Sequence, residues 1–316
     1  MAELPRLVLA KDLTIIGASP RPLSAAAKSG RLVRVRHGVY VDRAQWTNLN
    51  SWQQYRLKVE AAAESFHAPT IFSHHSGASV WGMPTILKSQ PVHALTTFRG
   101  GGRSRAGVRR HLVEPLRIEA QEVEGLLVTS RITTVLDLAA FVPFAEAVVP
   151  LDHVLKPDPI RDLAALSKAE LLDALPGRYP AAVEKRVRAV VEFADPASGS
   201  PGESYSRGLI QVSGFAPPAL QYEIRDSRGR VGNSDFYWEG SRTVGEFDGA
   251  AKYQRDEFLR GRTPGQVVVD EKVREDRIRG TGRGVVRWMW ADLWANGALE
   301  QLLAGAGVPR RRRPSS

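Results

Sequence analysis

The hydrophobic pattern of the first 45 residues predicts two short helices followed by a hairpin. Apolar spacing predicts helices at 13–17 and 23–28, and the prolines between them impose a turn. From Arg31 to Arg36 basic and apolar side chains alternate, which is typical of a strand with one exposed face. Gly38 then turns the chain into a second strand, 39–41. Helix, turn, helix and a basic two-stranded wing form a winged-helix plan.

The middle of the chain alternates between helical and extended patterns. The spacing of apolar residues predicts a helix over 52–66, and a further helix opens at Ser130. Between these helices lie three predicted strands, at 92–96, 108–112 and 126–129. The stretch from 143 to about 195 is predicted to be helical, with breaks at its prolines: Pro150, Pro157, Pro159 and Pro176-Gly177.

A second hairpin is predicted between Asn233 and Tyr253, with its turn at 239–241. If Trp238 pairs with Thr243, then Asp235 lies opposite Glu246. Side chains two apart share a face of a strand, so Glu246 and Asp248 point the same way. Like charges about 5 Å apart are destabilising unless a positive group lies between them. A hard cation such as Mg²⁺ takes carboxylate ligands, so these acids predict a metal site.

The pattern after this hairpin predicts a helix from Gln266, a buried strand over 284–290 and a closing helix over 292–303. Helices on both sides of a mixed sheet give an α/β core in a chain that is α+β overall. We expect four segments: a winged helix at 1–45, a mixed middle domain at 46–195, an α/β domain at 196–305, and a basic disordered tail at 306–316. The boundary at 195 follows from a small, polar, proline-bearing stretch.

Basic residues of the predicted helix after Gln266 allow two interpretations. Lys272, Arg274, Arg277 and Arg279, together with Arg287, form either the lining of a phosphate channel or a solvated face. The acids interspersed among them favour the second interpretation: Asp270, Glu271, Glu275 and Asp276.

Composition narrows the classes of function only slightly. The 316 residues include 44 basic and 34 acidic side chains, a net charge of +10, which suits a polyanionic partner or simply an arginine-rich proteome. The absence of cysteine excludes disulfides and thiolate metal sites. Neither a signal peptide nor an apolar run of ~20 residues is present. We therefore expect a cytoplasmic protein with no membrane partner.

The C-terminal motif resembles the restriction-endonuclease-like superfamily, and more closely the branch similar to very-short-patch-repair endonucleases. Asp235-Phe236 and Glu246-x-Asp248-Gly249-x-x-Lys252 carry the resemblance, which covers roughly residues 200–302. It implies Mg²⁺- or Mn²⁺-dependent cleavage of phosphodiester bonds, with Asp235, Glu246 and Asp248 at the metal and Lys252 beside it. Two positions depart from the pattern. Asp248 stands where the general signature has lysine, and Lys252 stands where the closer branch has histidine.

The same resemblance implies roles for two residues that precede the hairpin. Glu203, in the first helix of this domain, would complete the metal site, and Gln221, in its first strand, would lie beside it. Glu203 is equally well explained as the third residue of a capping box opened by Ser200, or as the i,i+4 partner of Arg207.

The N-terminal half resembles AbiEi-type antitoxins of type IV toxin–antitoxin systems. The phrases at 30–40 and 73–84 carry this resemblance, which implies a winged helix that binds double-stranded DNA and a toxin or antitoxin partner. Phosphate contacts are expected from basic side chains of the second helix and the wing: Arg21, Lys28, Arg31, Arg34 and Arg36. The alternative is an edge strand whose charges prevent aggregation. Because the module is short, useful affinity requires a homodimer or the second domain.

Adjacent His74 and His75 raise the question of a second metal site. They lack the i,i+4 spacing of helical ligand pairs, and no third ligand lies near in sequence. A helix N-terminus capped by Ser73 or Ser76 is the favoured interpretation.

Two functions follow from different classes. The first is a metal-dependent nuclease that a winged helix brings to DNA. The alternative is a DNA-binding regulator or antitoxin whose nuclease-like domain is inactive. A purely structural interpretation also stays open, in which the acids balance nearby Arg242, Lys252 and Arg255.

Overall fold

A computed structural model describes residues 4–16, 19–66, 68–86, 90–98, 107–249 and 264–311. The chain divides into two compact units, Met1–Val142 with Ser167–Arg188, and Pro143–Leu166 with Ala189–Ser316. The predicted four-segment division stays a prediction. Helices and strands are mixed in both units, so the predicted α+β class is confirmed.

The secondary structure is given in chain order for the described residues. The strands are β1 (Val8–Leu9), β2 (Leu32–Arg36), β3 (Val39–Asp42), β4 (Val92–Thr96), β5 (Val108–Leu112), β6 (Ala120–Val123), β7 (Leu126–Thr129), β8 (Ala219–Asp226), β9 (Gly229–Trp238), β10 (Thr243–Asp248) and β11 (Gly284–Met289). The helices are α1 (Ala10–Ile15), α2 (Arg21–Lys28), α3 (Arg43–Thr47), α4 (Ser51–Ala63), α5 (His74–Trp81), α6 (Arg131–Phe141), α7 (Phe144–Val154), α8 (Lys168–Asp173), α9 (Ala181–Phe193), α10 (Pro201–Val212), α11 (Pro264–Gly280), α12 (Trp290–Trp294) and α13 (Ala298–Gly305).

The first unit begins with the predicted helix–helix–hairpin. Helices α1 and α2 precede an antiparallel hairpin of β2 and β3, and β1 pairs with β3 to give the order β1-β3-β2. Gly38 occupies the tight turn with a φ of +73°, a conformation that favours glycine. Tyr40 and Val41 are buried, so the hairpin has an apolar core side.

Two further pairs of strands in this unit are joined to each other by a single residue, Phe72. Strands β4 and β5 pair in parallel, and β6 and β7 pair in antiparallel fashion. Phe72 lies between the two pairs and forms bridges to Ala94 of β4 and to Val128 of β7. Helix α5 starts two residues later, so the sheet fixes the position of its first residue, His74.

The second unit is built on a four-stranded mixed sheet in the order β11-β10-β9-β8. Strands β8, β9 and β10 are antiparallel neighbours, and β10 pairs in parallel with β11. Trp238 pairs with Thr243, so the predicted hairpin register is confirmed. The helices α10 and α11 contact this sheet, and the predicted mixed sheet with flanking helices is therefore present.

Close backbone packing holds α10 in place. A Cβ at Gly202 would overlap the ring of Phe247 in β10, and a Cβ at Gly208 would lie 2.5 Å from the Cα of Ala145 in α7. Both positions therefore require glycine, because any larger residue would push the helix from its neighbours.

Three predictions about the helices and the tail are wrong. Helix α7 continues through Pro150, which is buried inside it, because tertiary packing outweighs the lost hydrogen bond. The closing helix is two short helices, since Gly297 adopts a φ of +75° between them. The start of the tail is ordered rather than disordered: Arg310 forms a bridge with Phe215 and stacks on its ring at 3.8 Å.

Among the described residues, no helix has both the length and the apolar character that crossing a membrane requires.

Candidate functional sites: a polar row across one sheet and a basic wing

A row of polar residues crosses the four strands of the second unit. Glu246 pairs with Arg287 of β11 in the parallel ladder. On its other side Glu246 lies opposite Asp235, one step beyond the last ladder pair, Gly245 with Phe236. Gln221 follows on β8, between the pairs that place Leu220 and Tyr222 on β9. The predicted relation of Asp235 to Glu246 is therefore part of a longer row.

Asp235 is half-buried and is bound to the backbone of the neighbouring strand. Its Oδ2 atom accepts a hydrogen bond of 2.8 Å from the N–H of Phe247. The carboxylate thus replaces a backbone acceptor at the point where the β9–β10 ladder ends. Asp248, two residues beyond Glu246, is also half-buried and pairs with Met289 of β11.

Glu246 is enclosed by two arginines. The Nη2 atom of Arg287 lies 3.0 Å from Glu246 Oε2, and the Nη2 atom of Arg274 lies 2.7 Å from Oε1. Burial lowers the pKa of both guanidinium groups, and pairing with Glu246 and Glu271 more than offsets it, so both pKa values are raised. These charges stabilise Glu246, which is only 9% exposed.

The carboxylates of this row do not fit a Mg²⁺ ion as they are arranged. Both oxygens of Glu246 face guanidinium groups, which supply the positive charge that a metal would bring. Within the described residues, Asp235, Glu246 and Asp248 do not bring three ligand oxygens together. Glu246 is balanced by basic side chains, as the structural interpretation expects, but these are Arg274 and Arg287. Arg242 instead donates to the carbonyl of Thr281.

Glu203 forms only half of the predicted capping box and does not pair with Arg207. Its backbone N–H donates to the hydroxyl of Ser200, but its carboxylate accepts a 2.7 Å bond from the N–H of Gly199. The same oxygen accepts a 3.1 Å bond from the side-chain amide of Gln221. Arg207, the expected i,i+4 partner, donates instead to Asp152. Glu203 therefore connects helix α10 to the polar row through Gln221.

Gln221 has a strained backbone at the same point. Its φ of +50° is in the left-handed region, which non-glycine residues seldom occupy. Strain of this kind costs about 1–3 kcal/mol and is concentrated at functional sites. The strained residue is thus the one that joins Glu203 to the sheet.

The arginines of α11 are neutralised, as the solvated-face interpretation expects. Arg277 forms a two-bond pair with Asp226, and Arg279 pairs with Glu275. Arg287, Arg274 and the glutamates of α11 form one network with Glu246. These side chains do not form an open phosphate channel.

The basic residues of the winged helix separate into two groups. Four of the five predicted DNA contacts are exposed on α2 and the hairpin: Arg21, Lys28, Arg31 and Arg34. Arg36 is half-buried, with its guanidinium 5.5 Å from the ring centroid of Phe66. A bulge between Arg34 and Arg36 breaks the alternation, so the two side chains no longer share a face. Burial, with the nearby charge of Arg110, lowers the pKa of Arg36.

Four histidines gather in the first unit, of which the sequence suggested only two. Ser73 is the N-cap of α5, yet its hydroxyl makes no capping bond to the helix backbone. It contacts Nδ1 of His74 at 3.0 Å instead, so the predicted helix start at Ser73 is confirmed but the capping hydrogen bond is absent. His93 and His111 pack against His74, on strands 19 and 37 residues away along the chain. No local spacing in the sequence signals this convergence.

Two predicted residues lie outside the described part of the chain. They are Lys252 and Arg255.

Comparison with known proteins bears on the N-terminal residues. Residues 2–41 match the model of a family described as transcriptional regulator, AbiEi antitoxin. The match covers the two helices and nearly all of the hairpin. It supports a DNA-binding regulator and ends before the four-stranded sheet of the second unit.

Two relatives that align with most of this chain come from Mycobacterium tuberculosis. Uncharacterized protein MT2308 (strain CDC 1551 / Oshkosh) and uncharacterized protein Rv2248 (strain ATCC 25618 / H37Rv) are each 26% identical over 265 residues, covering 80% of this chain and 91% of theirs. A crystal structure of RV2827C protein from the same species aligns with 70% of this chain and 84% of its own, at 15% identity and a TM-score of 0.37.

Proposed function

We propose that this protein is a DNA-binding transcriptional regulator of the antitoxin type, whose N-terminal winged helix contacts double-stranded DNA. The observation that carries the proposal is a coincidence of two findings. The AbiEi family match at residues 2–41 falls on a folded helix–helix–wing, and that element exposes four basic side chains on α2 and the hairpin.

The arrangement of these side chains suits phosphate contacts. Arg21 and Lys28 are seven residues apart on α2, so they lie on one face and about 10 Å apart along the helix axis. Ala25 lies exposed on that face, a small residue that permits close approach to DNA. Arg31 and Arg34 flank the helix on the hairpin. Phosphate contacts position a protein on DNA without specifying sequence.

The partners follow from the same proposal. Double-stranded DNA is the primary partner, and a second copy of the chain would double the contact surface of a short module. A cognate toxin is the protein partner that the family description suggests.

The test is the salt dependence of DNA binding. Affinity of the full chain for duplex DNA is measured by fluorescence anisotropy over a range of salt concentrations. Each of Arg21→Ala, Lys28→Ala, Arg31→Ala and Arg34→Ala is expected to reduce the slope of log K against log salt by about one.

The matched control is Lys58→Ala, which removes an exposed lysine from α4 in the same unit. It is expected to leave the slope unchanged. The proposal fails if all four of these arginine and lysine variants bind DNA with the affinity and the salt slope of the wild type.

We also propose phosphodiester cleavage as a second candidate function for the second unit, in which Mg²⁺ or Mn²⁺ would bind Glu246 only after Arg274 and Arg287 release its carboxylate. The observation that favours it is that Gln221, which bonds Glu203 and has a strained backbone, lies in register with Asp235 beside Glu246. The arginines that enclose Glu246 are evidence against cleavage. We therefore rank cleavage below regulation as the function.

Cleavage of supercoiled plasmid in Mg²⁺ or Mn²⁺ tests this second candidate. If it holds, wild type nicks the plasmid and both Asp235→Ala and Glu246→Ala abolish nicking. Glu239→Gln, which changes an exposed acid in the turn of the same hairpin, is the control and should keep activity. If the plasmid stays intact with the wild type and every variant while the protein still binds DNA, cleavage is rejected and the regulator is the function that remains.

A further inference from the structure

Three histidines from separate elements converge in the first unit. His74 begins α5, His93 lies in β4 and His111 lies in β5. Each offers one ring nitrogen, and these three nitrogens all lie within 4.8 Å of one another. A tetrahedral ion with metal–nitrogen distances of about 2.0–2.1 Å requires nitrogens about 3.3 Å apart. One nitrogen pair, Nδ1 of His93 and Nε2 of His111, is 2.9 Å apart and so already close to that spacing.

The fold explains the convergence. In the parallel ladder His93 pairs with Arg109, and His111 is two residues beyond Arg109, so both imidazoles lie on the same face of the sheet. His74 stacks on His111 with ring centroids 3.7 Å apart. Its backbone holds a φ of +49°, a strained conformation for histidine.

One ring nitrogen of the cluster has no protein partner. Nδ1 of His93 lies 2.9 Å from Nε2 of His111, so these two atoms share one hydrogen bond. The other ring nitrogen of His93, Nε2, has no hydrogen-bond partner, although the residue is fully buried. Buried polar atoms in native proteins are normally paired, and an unpaired one calls for an explanation such as an ion.

One contact orients His74 as a ligand. Ser73 Oγ lies 3.0 Å from Nδ1 of His74. A hydroxyl that accepts the Nδ1 proton leaves the lone pair on Nε2, which is the usual outer-shell arrangement of a metal-binding histidine.

The protonation state suits metal binding. Burial, with the charges of neighbouring imidazoles and Arg109, lowers the pKa of His93 to about 2 and holds that of His74 well below its usual value. Burial and Arg109 lower the pKa of His111 to about 4. Neutral imidazole is the form that binds a metal.

The cluster opens to solvent on one side. His74 and His111 line a cleft of ≈ 620 Å³, whose walls also carry Glu119 and Asp137. A small molecule or water can therefore reach the histidines from the cleft. Three protein ligands with an open fourth position are typical of zinc sites that bind an exogenous ligand.

We propose that His74, His93 and His111 form a binding site for a borderline divalent transition metal, with Zn²⁺ as the best match and the fourth coordination position open to the cleft. Imidazole ligands favour Zn²⁺, Cu²⁺, Ni²⁺ and Co²⁺ over Mg²⁺ or Ca²⁺. This site shares no residue with the polar row, and it does not depend on the proposed function as a regulator.

Direct metal binding to the full chain tests the proposal. Untagged protein is treated with a chelator and titrated with Co²⁺, whose visible absorption reports a tetrahedral nitrogen environment, and then with Zn²⁺. We expect one Co²⁺ per chain and complete displacement by Zn²⁺. Wild-type protein that takes up no Co²⁺ or Zn²⁺ overturns the proposal, whatever the variants do.

The variants identify the ligands. His111→Gln and His93→Gln are expected to weaken Zn²⁺ binding at least tenfold and to remove the Co²⁺ absorption. His37→Gln changes an exposed histidine of the hairpin and should bind like the wild type. Circular dichroism verifies folding. Equal binding by wild type and both cluster variants, if folded, places the metal elsewhere and rejects the site.

Discussion

Arg207 donates a hydrogen bond of 2.6 Å from Nη2 to Oδ1 of Asp152, and the two side chains are only 7% and 1% exposed. The same Asp152 oxygen accepts the backbone N–H of Asp195, and Arg207 also donates to the carbonyl of Phe193. This buried pair therefore joins α10 to α7 and to the segment that ends α9. Loss of one partner leaves the other as an uncompensated buried charge.

We expect Asp152→Ala to lower the free energy of unfolding by about 3–5 kcal/mol, because Arg207 stays buried without its counter-charge. Urea denaturation measures the loss. Glu223→Gln, which removes a partner from the exposed pair with Arg225, should cost less than about 1 kcal/mol. Similar losses in the two variants would mean that Asp152 is solvated in solution.

The backbone of Gln221 predicts an inverted preference between glycine and alanine. In an ordinary strand glycine is about 0.5–1 kcal/mol less stable than alanine. At a φ of +50° alanine carries the steric cost of the left-handed region, and glycine does not.

Gln221→Gly should therefore be more stable than Gln221→Ala by about 1 kcal/mol, measured by urea denaturation. Both variants lose the amide bond to Glu203, so that loss cancels in the comparison. Alanine as the more stable variant would show that the residue does not hold this conformation.

Arg34 and Arg36 should behave differently although both belong to the wing. Arg34→Ala is expected to reduce the salt slope of DNA binding by about one. Arg36→Ala should leave the slope unchanged and cost about 0.5–1 kcal/mol of stability, because its guanidinium lies over Phe66. Anisotropy titration and thermal unfolding separate the two effects. Equal salt slopes for the two variants would contradict the inward position of Arg36.

Asp137 should make the stability of the first unit depend on pH. Burial raises its pKa, although a 2.6 Å hydrogen bond from Tyr179 and the charge of Arg178 lower it. A carboxyl whose pKa is higher in the folded state stabilises the fold below its unfolded pKa of about 3.9. This contribution disappears as the pH rises through the raised value.

The difference in unfolding free energy between wild type and Asp137→Asn should therefore fall as pH increases above about 4, by at most about 1.4 kcal/mol per pH unit. Urea titrations at several pH values measure it. Tyr179→Phe removes the bond that lowers the pKa, so it should extend the decline to higher pH. A difference that is constant with pH would contradict the raised pKa.

Local pattern was sufficient for the N-terminal module and for the second hairpin. Alternation and turn chemistry predicted β2, β3 and the pairing of Trp238 with Thr243, because these contacts are close in sequence. Local pattern did not predict that α7 continues through Pro150, and it did not predict the partners of the Glu203 carboxylate. The continuation of α7 through Pro150 depends on tertiary packing, and the partners of Glu203 come from strand β8 and the preceding turn.

The histidine cluster shows the same limit more clearly. His74 and His75 are visible as neighbours, but the residues that join His74 are His93 and His111, which arrive through parallel pairing of β4 and β5. Parallel strands need a long connection, so their partners carry no short-range signal. The arginines around Glu246 were visible in sequence. Their pairing with that carboxylate depends on the β10–β11 register for Arg287 and on the packing of α11 for Arg274.

The contact between Gly202 and Phe247 links the evolution of two distant positions. Because the ring of Phe247 occupies the space of a Cβ at position 202, alanine can enter there only after the aromatic side chain becomes smaller. Descendants of this sequence should thus keep the glycine–phenylalanine combination or replace both residues together. A lineage that changed Gly202 first would pass through a destabilised intermediate, so the order of substitutions is itself constrained.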